Sequence, residues 1–157
     1  MNIIDNPPKT AVRRLLREAG LPVADIDANC PGRFFGCESP GKLLGVVGLE
    51  LHGDSAVLRS LAVDPRARSR GLGTLLVARA ERAARAGGAH TVYLLTTTAE
   101  DYFLRLGYAR LAREAAPECI RSTAEFSRLC PADAALLAKS LHALPRGLRQ
   151  DAADRQA

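Results

Sequence analysis

The sequence predicts a single domain of mixed α/β (α+β) class, built on a mostly antiparallel sheet. Three observations carry this. Strand-like segments at 34–38, 43–52 and 55–63 are joined by two short turns, Ser39-Pro40-Gly41-Lys42 and Gly53-Asp54, and turns this short join only antiparallel neighbours. Beyond them a helix-period segment, a strand, a shorter helix and another strand alternate, which is not the strictly repeating order of a doubly wound sheet. The length of 157 residues is one domain's worth, enough to bury about 70% of the unfolded surface around one core.

The first helix is expected over 11–19. Thr10 stands where a cap belongs, Val12, Leu15, Leu16 and Ala19 fall at i, i+3, i+4 and i+7, and Gly20 ends the run. Asp25, Asp27 and Pro31 then break any periodic pattern. The meander follows, its last strand stopped at Asp64-Pro65. A long helix covers 72–86, with Leu72, Leu75, Leu76, Ala80 and Ala83 on an apolar face. Arg79, Glu81, Arg82 and Arg85 form its wet face, and Gly87-Gly88 closes it. A buried-type strand at 91–96, a short helix at 99–106 capped by Gly107 and a strand starting at 108–111 come next. Residues 123–129 suggest a short helix, and 135–141 a last strand or helix, of which the strand fits better. The domain is expected over 1–144, with 145–157 a loose polar tail.

No run approaches 18 apolar residues, and Met1-Asn2-Ile3-Ile4-Asp5 lacks a basic stretch before an apolar one. No membrane span or signal peptide is expected, and the chain reads as cytoplasmic. The net charge of +5 would suit nucleic acid, but only Arg66, Arg68 and Arg70 cluster, and aromatics make up 4%. A basic patch meeting a phosphorylated cofactor accounts for the charge, so no nucleic-acid partner is expected. Cys30, Cys37, Cys119 and Cys130 form no Cys-x-x-Cys pair, and no metal is expected. They read as small hydrophobes, with the alternative that three converge on a soft ion such as trivalent arsenic.

The segment Arg68-Ser69-Arg70-Gly71-Leu72-Gly73-Thr74 sits at a strand-to-helix junction. Glycines there admit a close ligand, the first backbone N–H groups of the helix face outward, and arginines add attraction for an anion. It lacks the Gly-Lys-Ser/Thr ending of a Walker loop, and antiparallel strands before it exclude a dinucleotide fingerprint. The expectation is a pyrophosphate cradle; the alternative is a plain glycine-containing helix start.

With Leu61-Ala62-Val63-Asp64-Pro65 upstream and Ala99, Tyr102-Phe103 and Gly107-Tyr108 downstream, the region 43–108 resembles the GNAT superfamily of acetyl-coenzyme A-dependent N-acetyltransferases. The resemblance implies a V-shaped split between the fourth and fifth strands of that fold, here 55–63 and 91–96. Pantetheine would lie in the split, with the Leu61 N–H facing the thioester carbonyl and Val63 bonding the pantetheine. Acetyl-coenzyme A is the implied cosubstrate, held by Leu61, Ala62, Val63, Arg68, Ser69, Arg70, Gly71, Leu72, Gly73, Thr74, Thr96 and Phe103. A narrower likeness, carried by Gly48-Leu49-Glu50, the run 58–63, Leu94-Leu95-Thr96-Thr97-Thr98-Ala99 and the segment 120–131, is to arsenic-resistance-associated N-acetyltransferases. It implies a small, anionic, amino-acid-like amine acceptor, with arsenic- or phosphorus-containing analogues in that class. A homodimer is a superfamily expectation. General amino-acid, polyamine or protein N-terminal acetylation is the alternative, as is a binding module without catalysis.

Acetyl transfer needs a donor for the tetrahedral oxyanion, a neutral amine and a proton for the thiolate. Leu61 supplies the first. Where some relatives carry a catalytic Glu this chain has Val57, leaving Glu50 as base, directly or through water, or as a surface strand residue. Where many relatives carry a Tyr acid it has Phe103; Tyr102 is one step, about 100° of helix, away. Tyr108 or solvent are the alternatives to Tyr102. Period-2 alternation would place Val57, Arg59, Leu61 and Val63 on one face. Arg59, costly to bury unpaired, either binds an acceptor's acidic group or pairs with Glu50, and Glu50 is itself an acceptor-binding candidate. Arg121 is a second anion-binding candidate, or a solvated helix residue. Thr96 either bonds the cofactor or simply ends a strand.

Overall fold

The computed structural model of the chain describes residues 2–26, 32–68, 70–124, 126–127 and 133–141. Its strands are β1 (Asn2–Asp5), β2 (Arg33–Ser39), β3 (Lys42–His52), β4 (Ser55–Val63), β5 (Thr91–Thr96), β6 (Ala109–Leu111) and β7 (Ala135–Ser140). The helices are α1 (Lys9–Glu18), α2 (Leu72–Ala86), α3 (Glu100–Arg105) and α4 (Glu118–Arg121). One sheet runs β1-β2-β3-β4-β5-β7-β6. Only β4 and β5 are parallel, as their crossover through α2 demands; the other pairs are antiparallel.

Period-2 alternation divides the core between the two faces of the sheet. Phe35, Val47, Leu49, Ala56 and Leu58 pack against Leu76, Val77, Ala80 and Ala84 of α2. Their neighbours Phe34 and Val46 point the other way, onto Val12, Leu15 and Leu16 of α1, and Val57 meets Ile120 of α4. The meander, the long helix and the final strand are those read from the sequence.

Several boundaries differ, each for a local reason. β1 was not anticipated, because Asn2-Ile3-Ile4-Asp5 is short and mixed; it is ordered by pairing with β2 (Ile3↔Cys37). The first helix starts at Lys9 after Pro8, so Thr10 lies inside it and no side chain caps it. Leu75 is 55% exposed, because the buried stripe of α2 runs through Leu72, Leu76, Val77, Ala80, Ala83 and Ala84. Glu81, expected on the wet face, is instead drawn against Tyr108 and Lys139. The expected helix at 123–129 falls partly, and the tail 145–157 wholly, outside the described residues.

β4 is not regular. Gly48 pairs with Arg59 but Val46 with Ala62, so β4 carries one extra residue there, and Ser60 takes a left-handed φ of 58°. The extra residue reverses the alternation. Ala56 and Leu58 face α2 before the bulge, and Leu61 and Val63 pack against that same cluster beyond it. Val57 and Ala62 face the opposite layer. Val57, Arg59, Leu61 and Val63 therefore do not share a face, contrary to the expectation from unbroken alternation.

Candidate active site

The parallel ladder between β4 and β5 holds only Ser55↔Thr91, Ala56↔Val92 and Val57↔Tyr93. Beyond Val57, β4 bulges away, whereas β5 stays paired with β7 along its whole length, from Thr91↔Ser140 to Thr96↔Ala135. The strands part, and a cavity of about 510 Å³ opens between Leu58–Leu61 on one side and Leu94–Thr96 on the other. Phe103 of α3 and Leu21 and Pro22 of the α1–β2 loop complete its wall. Along the parted edges β4 and β5 no longer bond each other, leaving backbone groups for a ligand that runs like an added strand.

A second cavity of about 460 Å³ shares Leu21, Leu61 and Thr98 with the first and continues past Val63 to the start of α2. The turn between is stapled by Asp64, 2% exposed, which accepts the Arg66 N–H at 2.9 Å and pairs with the side chains of Lys42 and Arg66. Gly71 caps α2 with φ 75°, a conformation glycine adopts freely, and no side chain caps the helix. No acidic residue stands in its first turn, so the orphan N–H groups and the helix dipole favour an anion. Arg68, Gly71, Leu72, Gly73 and Thr74 all border this cavity, with Arg68 also donating to the Val63 carbonyl at 3.3 Å. Arg70 is exposed and borders neither cavity; Ser69 lies outside the described residues.

On the other face of β4 lies a buried charge cluster. The Arg59 guanidinium, its side chain 1% exposed, donates to both oxygens of Asp25, one at 2.9 Å, and to Glu50 at 3.2 Å. Its Nε donates to Ser60 Oγ at 3.0 Å. Glu50 also faces His52 Nε2 at 3.1 Å. Glu50 is 3% exposed, so the surface reading is corrected, but it borders neither cavity. Its neighbours in the strand, Leu49 and Leu51, suggested exposure; the bonds to Arg59 of β4 and to His52 hold it inside instead. Arg59 does border the first cavity, with its charge held by the two carboxylates.

Tyr102 and Phe103 separate as one helical step requires. Phe103 borders the split cavity and Tyr102 the cradle cavity, where its hydroxyl lies 3.0 Å from Thr74 Oγ1. Tyr102 is thus absent from the split, which removes the geometric basis for a proton donor there. Tyr108 is buried, bonded to Glu81 at 2.8 Å, its hydroxyl held protonated well above the usual tyrosine range by burial first and by the Glu81 charge second. Thr96 borders the split but accepts the Ala99 N–H at 3.0 Å, ending β5 and starting α3. Arg121 is exposed, pairs with Glu118 at 2.9 Å and reaches neither cavity. Cys37 is buried in the α2 layer and Cys119 exposed on α4 across the sheet; Cys30 and Cys130 lie outside the described residues. Among the described residues no three His, Cys, Asp or Glu side chains gather as metal ligands.

Asp25, Ser60 and the Leu21-Pro22 loop belong to this site and were not singled out from the sequence. Asp25 is 34 residues from Arg59, and no periodicity links the two.

A family model for the acetyltransferase (GNAT) family matches residues 6–108. The chain belongs to this family. An uncharacterized N-acetyltransferase of Chlorobaculum tepidum is 33% identical over 88 residues, 55% of this chain and 56% of the relative. N-acetylglutamate synthase of Neisseria gonorrhoeae, crystallised with coenzyme A and N-acetyl-glutamate, superposes with a TM-score of 0.73 at 21% identity over 90% of this chain and 36% of that one. A Mycobacterium tuberculosis protein crystallised with coenzyme A gives 0.72 at 23% identity over 89% of this chain and 99% of that one. The chain thus spans about half the length of its curated relative and about a third of the synthase. The GNAT match establishes family and fold; it does not carry the narrower likeness to arsenic-resistance enzymes. Among the described residues no helix is long and apolar enough to cross a membrane.

Proposed function

We propose that this chain transfers the acetyl group of acetyl-coenzyme A to the amine of a small molecule. The observation that carries the reading is the parting of β4 and β5 after Val57 and Tyr93, over a cavity that continues to the uncapped start of α2. The pantetheine arm fits the first opening and the pyrophosphate the second. The two GNAT structures crystallised with coenzyme A support the same assignment.

In the reaction the neutral amine nitrogen attacks the thioester carbonyl, forming a C–N bond. The carbonyl oxygen becomes an oxyanion that the Leu61 N–H is assigned to receive. The C–S bond then breaks, and the proton lost by nitrogen ends on the departing thiolate. No carboxylate borders the split cavity among the described residues, so the acceptor must arrive unprotonated or lose its proton through water. Glu50 is assigned to holding Arg59, and the rate is expected to rise with pH until the acceptor's own amine is neutral. Positioning of the two reactants supplies much of the acceleration.

The acceptor we favour is amino-acid-like and carries an acidic group; arsenic- and phosphorus-containing analogues belong to that class. Arg59 and Arg68 are the charged residues bordering the two cavities among those described, and no acidic side chain offers a polyamine a seat. Because Asp25 already occupies the Arg59 guanidinium, an acceptor's acid must compete with it. The test follows thiol release from acetyl-coenzyme A with acidic amino acids, their phosphinate and arsenical analogues, neutral amino acids and polyamines. Asp25→Asn, which keeps the shape and removes the charge, is expected to lower KM for the acidic acceptors alone by roughly tenfold. Turnover confined to polyamines would refute the acidic acceptor, and coenzyme A binding without turnover would favour a non-catalytic binding module.

A further inference from the structure

The first turn of α2 and the side of α3 meet across the cradle cavity through two hydroxyls. Tyr102 Oη and Thr74 Oγ1 stand 3.0 Å apart, and both residues border that cavity. The Tyr102 ring is braced edge-on against Phe103, centroids 5.2 Å apart at 74°. Its hydroxyl closes so tightly over the helix start that a Cβ on Gly73 would come within 3.0 Å of it. A side chain at 73 would therefore push the Tyr102 hydroxyl aside by a few tenths of an ångström, whereas a Cβ on Gly71 would meet nothing within 4 Å and glycine is favoured there by the φ of 75°.

A hydroxyl carries one proton and two lone pairs. Whichever of the two donates to the other, the acceptor keeps its own proton, so the pair always holds one unspent O–H. Among the described residues, no other hydrogen bond engages either hydroxyl. Around it stand the uncapped N–H groups of α2 and Arg68, with no acidic residue in the first turn of that helix. On α3, Glu100 is committed to Arg110, and Asp101 borders neither cavity.

We infer that the Tyr102–Thr74 hydroxyl pair is a donor site for a phosphate oxygen of the cosubstrate, making Tyr102 a cofactor-binding residue and not the proton donor to the leaving thiolate. This rests on the reading that the two cavities hold acetyl-coenzyme A. A donor to a charged oxygen contributes about tenfold in affinity, and it acts on the phosphate end alone.

The double variant Tyr102→Phe/Thr74→Val removes both hydroxyls and keeps ring and branch. Titration calorimetry with coenzyme A is expected to show about tenfold weaker binding, while kcat/KM with acetyl-pantetheine, which has no phosphate, changes less than twofold. Tyr102→Phe alone is expected to raise KM for acetyl-coenzyme A with kcat within about twofold of the parent. Wild-type affinity in the double variant overturns the inference, as does an equal loss with acetyl-pantetheine. A kcat for Tyr102→Phe reduced tenfold or more, with an altered alkaline limb, overturns it in favour of a general acid. A parent chain that binds no coenzyme A at all overturns the acetyltransferase reading itself, and this inference with it.

Discussion

The cradle at 68–74 and the cluster of Asp25, Glu50, His52 and Arg59 flank one split and are built in opposite ways. The cradle is continuous in sequence and made mostly of backbone: a glycine at φ 75°, uncapped N–H groups and one bordering arginine. The cluster gathers side chains from a loop and two strands, with Arg59 and Glu50 buried and Asp25 and His52 at its edge. The 68–74 segment spends little stability on its charge because it is open to water, whereas Arg59 and Glu50 are dehydrated and depend on their partners. The lesson is that one wall of a cleft can be a local motif, while the other is a tertiary object.

Arg59→Ala should have the largest effect, because it leaves Asp25 and Glu50 facing each other without their cation. Loss of about 3–5 kcal/mol in unfolding free energy is expected by denaturant titration, and a loss near zero would show that the cluster is not the anchor described. Gly71→Val comes next. Its Cβ meets no neighbour, so the penalty is conformational, a left-handed φ that a β-branched residue resists. About thirtyfold weaker coenzyme A binding by calorimetry is expected, with Gly71→Asn close to the parent; unchanged binding in the valine variant would remove the cradle from the site.

Tyr108→Phe tests a buried polar group that borders neither cavity. Tyr108 stays protonated in the fold, while an unfolded tyrosine ionises above about pH 10. The folded state then holds the extra proton, so this contribution is full below pH 10 and is lost as pH rises further, by up to about 1.4 kcal/mol per unit. The variant should flatten that alkaline decline relative to the parent in thermal melts and leave coenzyme A affinity unchanged. An identical decline in both proteins would assign it to other groups, Tyr93 and Cys37 among them, whose ionisation burial also pushes up.

Much of this was legible beforehand where the signal is local. The hairpins at Gly41 and Gly53, the 72–86 helix and the step from Phe103 to Tyr102 follow from turn chemistry and the 3.6-residue period. Three things were not. β1 is too short to carry a pattern and forms only against β2. The bulge at Ser60 leaves no mark in an apolar run, yet it puts Leu61 on the face opposite Arg59. Glu50 looked like a surface residue between two leucines, and only its distant partners explain its burial.

The sequence by itself determined the family, the three-strand meander before the long helix and the place of the glycine-rich start of that helix, because these rest on spacing and on glycines whose backbone freedom is an intrinsic property. The tertiary structure alone decided where β4 and β5 part and that Tyr102 faces the cradle rather than the split. It also decided that Arg59 is held by Asp25. Those depend on a one-residue bulge and on contacts across 34 residues of chain, which short-range periodicity does not encode.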